Sequence, residues 1–247
     1  MRVLLNIFLL VCFLPAKGQR LIKPLNFSGE LVPHEVKFIQ AKLYNQIVIA
    51  SRSKTRLAML KEKGNFYFPF IEAMLKKHGI PEDFKYLPII ESDFTRSALS
   101  HAGAKGFWQL MPGTAQDLGL SVQSTVDERE SIVRSTNAAC KHLKYLYKEL
   151  KNWTLVAAAY NVGLGSLRAS IRKQKIGNYY FLKLNSETGE YVYKLLAIKI
   201  LFNETSKVEI LDSNQPIKPI ENIKKPGFNS GYRKKMVELD STIIKVE

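Results

Sequence analysis

The stretch of sequence on which the fold assignment depends is LPIIESDFTRSALSHAGAKGFWQLMP, residues 87–112. Its first residues form an apolar run that ends at Glu91, and small or polar residues with two glycines, Gly103 and Gly106, follow. This second part does not fit a helical pattern, because the glycines indicate a backbone that turns tightly or is approached closely. We expect the apolar run to bury Glu91 partly, and burial raises the pKa of a carboxyl group because desolvation disfavours the charged form.

On both sides of this stretch the apolar residues follow helical spacing. The stripes that predict helix faces are Val32, Val36, Ile39 and Leu43; Phe70, Met74 and Leu75; Ala139, Leu143, Leu146 and Leu150; and Tyr191, Leu195 and Ile198. Basic residues followed by Gly79 mark the end of the second of these helices, and Pro81 opens the next. Thr154 is the expected cap of a short helix through three alanines. The sequence therefore predicts a mainly α fold.

The N-terminus has the three-part pattern of a signal peptide over residues 1–18, with cleavage expected after Gly18. The apolar run from Val3 to Leu14 is too short to cross roughly 30 Å of hydrocarbon as a helix. Lipid attachment at Cys12 is the less favoured alternative, because Val11 stands where a small residue is needed. We expect a soluble mature protein that is exported to the periplasm or cell envelope.

The remaining chain divides at residue 212, where the helical periodicity ends. Residues 19–212 are predicted to form one domain, with its N-terminal helices in residues 31–80, and residues 213–247 to form a basic, weakly ordered tail. A final strand is an option at Ser241 to Val246. Cys140 has no partner once the signal is removed, so we expect it to be a small buried hydrophobe.

Four motifs occur in order along the predicted domain. They are IES at residues 90–92, GFWQLMP at 106–112, AAYNVG at 158–163 and ETGEYV at 187–192. With these motifs the sequence resembles the soluble lytic transglycosylase family over roughly residues 32–202, and it is closest to the membrane-bound transglycosylase D branch, without a wall-binding LysM repeat. The resemblance implies a lysozyme-like transglycosylase domain with additional N-terminal helices.

The resemblance also implies a role for individual residues. Glu91 corresponds to the catalytic acid/base, and Tyr160 to the tyrosine whose hydroxyl orients that acid. The residues implied to line the cleft or bind the sugar are Ser100, Trp108, Gln109, Met111, Asn161 and Glu187. A charge at a helix N-terminus is an equally weighted alternative for Glu187. Tyr179 and Tyr180 are expected to pack in the core instead.

The implied reaction needs one carboxyl group, whereas ordinary glycosidases use two. Asp93 is expected to point away from Glu91 as a capping or surface residue. In the family, the acid protonates the glycosidic oxygen between N-acetylmuramic acid (MurNAc) and N-acetylglucosamine (GlcNAc), and then acts as a base on the muramic 6-hydroxyl to form a 1,6-anhydro sugar. A lysozyme-type hydrolase on the same scaffold and a non-catalytic peptidoglycan-binding protein are the two alternatives.

Charge and composition limit the partners. The formal net charge is +15, or +13 after loss of Arg2 and Lys17 with the signal, which favours an anionic partner. Export argues against nucleic acid and in favour of peptidoglycan glycan strands, with an anionic membrane surface as a second candidate. The four histidines, at positions 34, 78, 101 and 142, are scattered, so no metal site and no cofactor are predicted.

Overall fold

The computed structural model describes residues 25–203, and helices dominate this part of the chain. The α-helices are α1 Lys37–Ser51, α2 Lys54–His78, α3 Leu87–Ser92, α4 Pro112–Asp117, α5 Ile132–Leu150, α6 Trp153–Val162, α7 Leu164–Gln174 and α8 Thr188–Phe202. Short 3₁₀ helices span Glu82–Tyr86, Glu128–Glu130 and Tyr179–Phe181, and a hairpin consists of β1 Asn26–Phe27 and β2 Glu30–Leu31. The predicted mainly α class is confirmed.

A small antiparallel hairpin, which the sequence did not predict, precedes the helices. Strand β1 pairs with β2 so that Asn26 lies opposite Leu31. The turn residues Ser28 and Gly29 have φ angles of 55° and 85°, the left-handed conformation that a two-residue hairpin turn requires. Such a short hairpin is marginal by itself, so it depends on contacts with the helices.

The hairpin holds the N-terminus of α6. The carboxylate of Glu30 accepts hydrogen bonds from the backbone N–H groups of Trp153 at 2.5 Å and Thr154 at 2.9 Å, and from the Thr154 hydroxyl at 2.6 Å. An anion here satisfies unpaired N–H groups and complements the helix dipole. The expected Thr154 cap is wrong: the cap is Asn152, which accepts from Leu155 N–H at 2.8 Å, and Thr154 lies within the helix.

The first predicted stripe is only partly helical. Ile39 and Leu43 are buried on α1, which packs mainly against α8. Val32 is buried too, but it precedes the helix and donates its N–H to the carbonyl of Leu25, and Val36 is the N-cap. The apolar spacing extends beyond the N-terminus of α1 because Val32, in the chain that follows the hairpin, also packs its side chain into the core.

Helix α6 is buried on every side from residue 154 to residue 159. A helix that is apolar all round is a core helix, and the small side chains of Ala157, Ala158 and Ala159 let α5 and α8 pack against it. Tyr160 and Asn161 lie in the last turn of the same helix, directly after its buried stretch. Their positions are therefore fixed by the core.

Several predictions lie outside residues 25–203 and stay predictions: the signal peptide, Cys12, the tail at 213–247 and the strand at its end. Within the described residues, no helix combines the length and apolar character needed to cross a membrane. Cys140 is fully buried, and desolvation raises the pKa of its thiol to about 12. This agrees with its expected role as a small hydrophobe.

Candidate active site

The predicted acid lies near the C-terminus of α3. Glu91 precedes Ser92, whose hydroxyl hydrogen-bonds the carbonyl of Phe107 at 2.9 Å and so ties the helix to the second motif. Asp93 ends the helix at φ 52°, and its carboxylate binds the guanidinium of Arg56 at 2.5 and 2.8 Å. Because Asp93 is held in this ion pair, it is not placed as a second acid beside Glu91.

The surroundings of Glu91 favour the protonated acid near neutral pH. The side chain is partly buried, and desolvation is the main reason that its pKa rises to about 7. The negative charge of Glu187 also raises this pKa, while a hydrogen bond from Tyr191 and the positive charge of Lys194 lower it. A group with a pKa near the ambient pH can both give and accept a proton efficiently.

The phenol that contacts the acid is Tyr191, not Tyr160. The hydroxyl of Tyr191 donates to Glu91 Oε1. The hydroxyl of Tyr160 donates at 2.7 Å to the backbone carbonyl of Trp108, so the expected hydrogen bond from Tyr160 to Glu91 is absent from this structure. Tyr160 is nevertheless close enough that the charge of Glu91 raises its pKa, together with the stronger effect of burial. The sequence had placed Tyr191 in the fourth motif without giving it a role.

Trp108 is not a sugar platform. Its side chain is fully buried, and its indole N–H donates at 2.9 Å to the hydroxyl of Thr136 on α5. Tryptophan within a motif suggested the cleft, but a large apolar ring with one N–H is stabilised most when it is buried and that N–H has a partner. What Trp108 presents toward the site is its backbone carbonyl, which Tyr160 binds.

The polar side chains of the second motif region support the loop that carries them. Ser100 Oγ accepts the N–H of Ala104 at 2.9 Å. Gln109, at φ 46°, donates its amide to the carbonyls of Ala98 and Gly106, each at 3.0 Å. The amide oxygen of Gln109 has no partner among residues 25–203. Met111, at the start of α4, is 43% exposed and thus available for contact.

Asn161 and Glu187 form a pair next to Tyr191. The Asn161 amide donates to Glu187 Oε1 at 3.0 Å, and its oxygen accepts the Thr188 hydroxyl at 2.7 Å. Glu187 is exposed, occupies the N-cap position of α8 and acts electrostatically on Glu91. Glu187 thus lies both at a helix N-terminus and near the acid, which is compatible with either expected role, a helix N-terminal charge or a carboxylate near the bound sugar.

A buried arginine that the sequence did not reveal holds the same loop. Arg129 is 5% exposed and donates to the carbonyls of Gly103 at 2.8 Å and Leu110 at 3.0 Å. Two hydrogen bonds to the carboxylate of Asp127, at 2.7 and 2.9 Å, balance its charge. Gly106 packs against the Arg129 backbone, where a Cβ would lie 2.0 Å from the carbonyl oxygen. In the sequence, Arg129 lay in an ordinary charged run, which carried no signal.

Comparison with known proteins identifies the family. The Transglycosylase SLT domain family matches residues 68–197, slightly more than half of the chain, and all the residues discussed from Glu91 to Tyr191 lie in this range. The chain therefore belongs to the transglycosylase SLT domain family. This confirms the resemblance that the four motifs indicated.

Individual relatives are similar over part of their length. The membrane-bound lytic murein transglycosylase D of Escherichia coli is 33% identical over 161 residues, covering 63% of this chain and 36% of the relative. A protein of Alteromonas named as a candidate tributyltin chloride resistance protein is 33% identical over 129 residues, covering 51% and 62%. The crystal structure of the 70 kDa soluble lytic transglycosylase from Escherichia coli gives a TM-score of 0.47 at 20% identity, covering 74% of this chain and 36% of that one.

Proposed function

We propose that this chain is an exported peptidoglycan lytic transglycosylase that cleaves the MurNAc-β-1,4-GlcNAc bond without water. The observation that carries the proposal is the state of Glu91, a partly buried acid with a pKa of about 7 and a phenol as its hydrogen-bond partner. Membership of the SLT domain family and a relative named as a lytic murein transglycosylase support it. Export rests on the signal-peptide pattern of residues 1–18.

The proposed reaction passes one proton out of Glu91 and another back. Glu91 protonates the oxygen of the departing GlcNAc as the bond to C1 of MurNAc breaks, with assistance from the MurNAc N-acetyl group. The resulting carboxylate then takes the proton of the muramic 6-hydroxyl while that oxygen bonds to C1. The acid is regenerated, the first proton stays on the leaving sugar, and the other product carries a 1,6-anhydro ring.

The neighbours of Glu91 suit both halves of this cycle. Burial and the charge of Glu187 keep the acid protonated at the start. The hydrogen bond from Tyr191 and the charge of Lys194 stabilise the carboxylate that forms after the first transfer. We assign Tyr191 the orienting role, and Tyr160 the support of the second motif through the Trp108 carbonyl.

Substrate contacts are proposed for the side chains that remain available. The Gln109 amide oxygen, the exposed Met111 and the Asn161–Glu187 pair can meet a bound sugar. A sugar contact is also proposed for Ser100, whose hydroxyl accepts the N–H of Ala104 within its own turn. Trp108 cannot contact the sugar with its ring, because that ring is buried.

Digestion of purified sacculi tests the proposal. We expect anhydromuropeptides, each lighter by one water than the reducing product, to be released and detected by mass spectrometry. Glu91→Gln should reduce their release by roughly 10²–10⁴-fold, since proton transfer is lost. Glu62→Gln, at an exposed position on α2, is the matched control and should retain activity. Reducing ends would identify a hydrolase instead, and binding without any product would identify a non-catalytic protein.

A further inference from the structure

An open cavity of about 400 Å³ lies between α1 and the chain that leads into α8. One side is formed by Phe38 and Lys42 of α1, and the other by Phe181 and Lys183, with Asn185 and Glu190 also in the lining. We call this cavity the α1 groove. None of these residues belongs to the site proposed around Glu91.

Two aromatic rings form an exposed apolar surface in the groove. Phe38 and Phe181 meet edge to face with ring centroids 6.0 Å apart, and they are 48% and 43% exposed. Single exposed apolar residues are common on proteins and need no explanation. A contacting pair that lines a concavity is less usual, and such a surface is suited to covering apolar groups of a ligand.

The groove also presents positive charge. Among residues 25–203, neither Lys42 nor Lys183 forms an ion pair, and Lys42 Nζ lies 5.7 Å from the ring centroid of Tyr193. The carboxylate of Glu190 already accepts the Gln46 amide at 3.0 Å. Two ammonium groups are thus available beside the phenylalanines, which favours a ligand with carboxylates.

The groove and the proposed catalytic site share one segment of the chain. Asn185, in the groove, accepts the N–H of Thr188, and the Thr188 hydroxyl binds Asn161 in the site. On α8, Glu190 lines the groove, and the next residue, Tyr191, contacts Glu91. Residues 185–191 therefore contribute side chains both to the groove and to the site around Glu91.

We propose that the α1 groove binds the acidic stem peptide of peptidoglycan. The proposal rests on the proposed function, because the glycan must occupy the site at Glu91 while its branch occupies the groove. The stem peptide carries carboxylates that match Lys42 and Lys183 and alanine methyl groups that match the two phenylalanine rings. GlcNAc is uncharged and would make no use of the lysines, so the groove distinguishes the branch from the unsubstituted part of the strand.

The test compares two substrates with the full chain. Initial rates are measured on glycan strands that keep their stem peptides and on strands from which an amidase has removed them. We expect the Lys42→Gln/Lys183→Gln double variant to lose roughly three- to tenfold in kcat/KM on peptide-bearing strands, since it loses two exposed charge contacts. On bare strands its rate should equal that of the wild type. Phe181→Ala should show the same selectivity for the peptide-bearing substrate.

The matched control is Lys144→Gln/Lys173→Gln, which removes two exposed lysines of α5 and α7 and the same net charge. It should leave the preference for peptide-bearing strands intact. An equal loss on both substrates in the groove variant, or no loss on either, would overturn the proposal. A wild-type enzyme that releases no product from either substrate would contradict the proposed function instead, so the two failures are distinguishable.

Discussion

Two regions that meet at Glu91 are stabilised in different ways. The motif loop, residues 98–111, is held by a buried cation: Arg129 binds two of its carbonyls and is balanced by Asp127. The acid pocket consists of Glu91, the partly buried Tyr160 and the buried Tyr191, and desolvation is the largest cause of the pKa shift of each of its members. The motif loop thus contains a buried charge that an ion pair neutralises, whereas the acid pocket favours the uncharged forms of its side chains.

The difference follows from what each region has to do. An irregular loop leaves many backbone carbonyls inside, and a guanidinium with five donors can satisfy several at once. The acid needs the opposite surroundings, because a strong cation beside Glu91 would lower its pKa and remove the proton at neutral pH. We therefore expect substitutions in the loop to affect folding most, and those in the pocket to affect proton transfer.

The largest effect is expected at the buried cation. Arg129→Met should destabilise the protein by about 3–5 kcal/mol, because it leaves Asp127 with a weakened ion pair and the Gly103 carbonyl without a donor, and because the Leu110 carbonyl keeps only the N–H of Lys105. Urea unfolding followed by circular dichroism measures the change. Arg134→Met is the control: its side chain is 65% exposed and its ion pair is 3.4 Å long, so we expect less than about 1 kcal/mol. Similar losses in both variants would contradict the proposed importance of the Arg129 network.

The second effect is a pH-dependent loss of stability caused by the raised pKa of Glu91. The native state keeps the Glu91 proton up to a pKa of about 7, whereas the unfolded chain loses it near the ordinary value of 4.5. The wild type should therefore lose stability as pH rises from 4.5 to 7. Glu91→Gln should be more stable by about 3 kcal/mol at pH 8, and equal to the wild type at pH 4.

Thermal or urea unfolding at both pH values measures this difference. The control Glu62→Gln should match the wild type at both, since its side chain is exposed. If the free energies of unfolding of Glu91→Gln and wild type differ equally at pH 4 and pH 8, the pKa of Glu91 is not raised.

The third effect separates the two tyrosines of the pocket. The hydrogen bond from Tyr191 lowers the pKa of Glu91, so Tyr191→Phe should raise it. The alkaline limb of the kcat/KM profile should then move to higher pH by about one pH unit, because hydrogen bonds to charged groups are among the stronger ones. Tyr160→Phe should leave the position of this limb unchanged, because the Tyr160 hydroxyl donates to the Trp108 carbonyl. A shift with Tyr160→Phe alone would return the orienting role to that residue.

The smallest effect is expected on substitution of the exposed carboxylate of Glu187. The charge of Glu187 raises the pKa of Glu91, so Glu187→Gln should move the alkaline limb to lower pH, by roughly a few tenths of a pH unit. Because Glu187 is exposed, the shift should shrink in about 1 M salt. A shift of the same size at both ionic strengths would indicate a change in geometry rather than an electrostatic effect.

Much of the fold could be predicted from local sequence. The stripe of α5 and the glycine that ends α2 appear as expected, because side-chain periodicity and the left-handed conformation at Gly79 are properties of a few neighbouring residues. The hairpin at residues 26–31 was missed, since two-residue strands carry almost no periodic signal. Its anchor, Glu30, binds residues more than a hundred positions away, which no local pattern reveals.

The candidate site, too, could be predicted from the sequence only in part. The family motifs placed Glu91 and Glu187 in one region, and the structure brings them within electrostatic reach of each other. The same motifs misplaced the ring of Trp108 and the partner of Tyr160, because a motif specifies residue types and not the direction of a side chain.

By itself, the sequence determined a mainly α chain whose ordered motifs belong to one family and whose apolar run leads into Glu91. Only the tertiary structure decided that Tyr191 contacts that acid and that Arg129 supports the loop. Helical stripes depend on residues three or four positions apart, so they can be read along the chain. Contacts such as that of Tyr191 with Glu91 join residues of different helices, and they exist only once packing has excluded water and fixed the direction of each side chain.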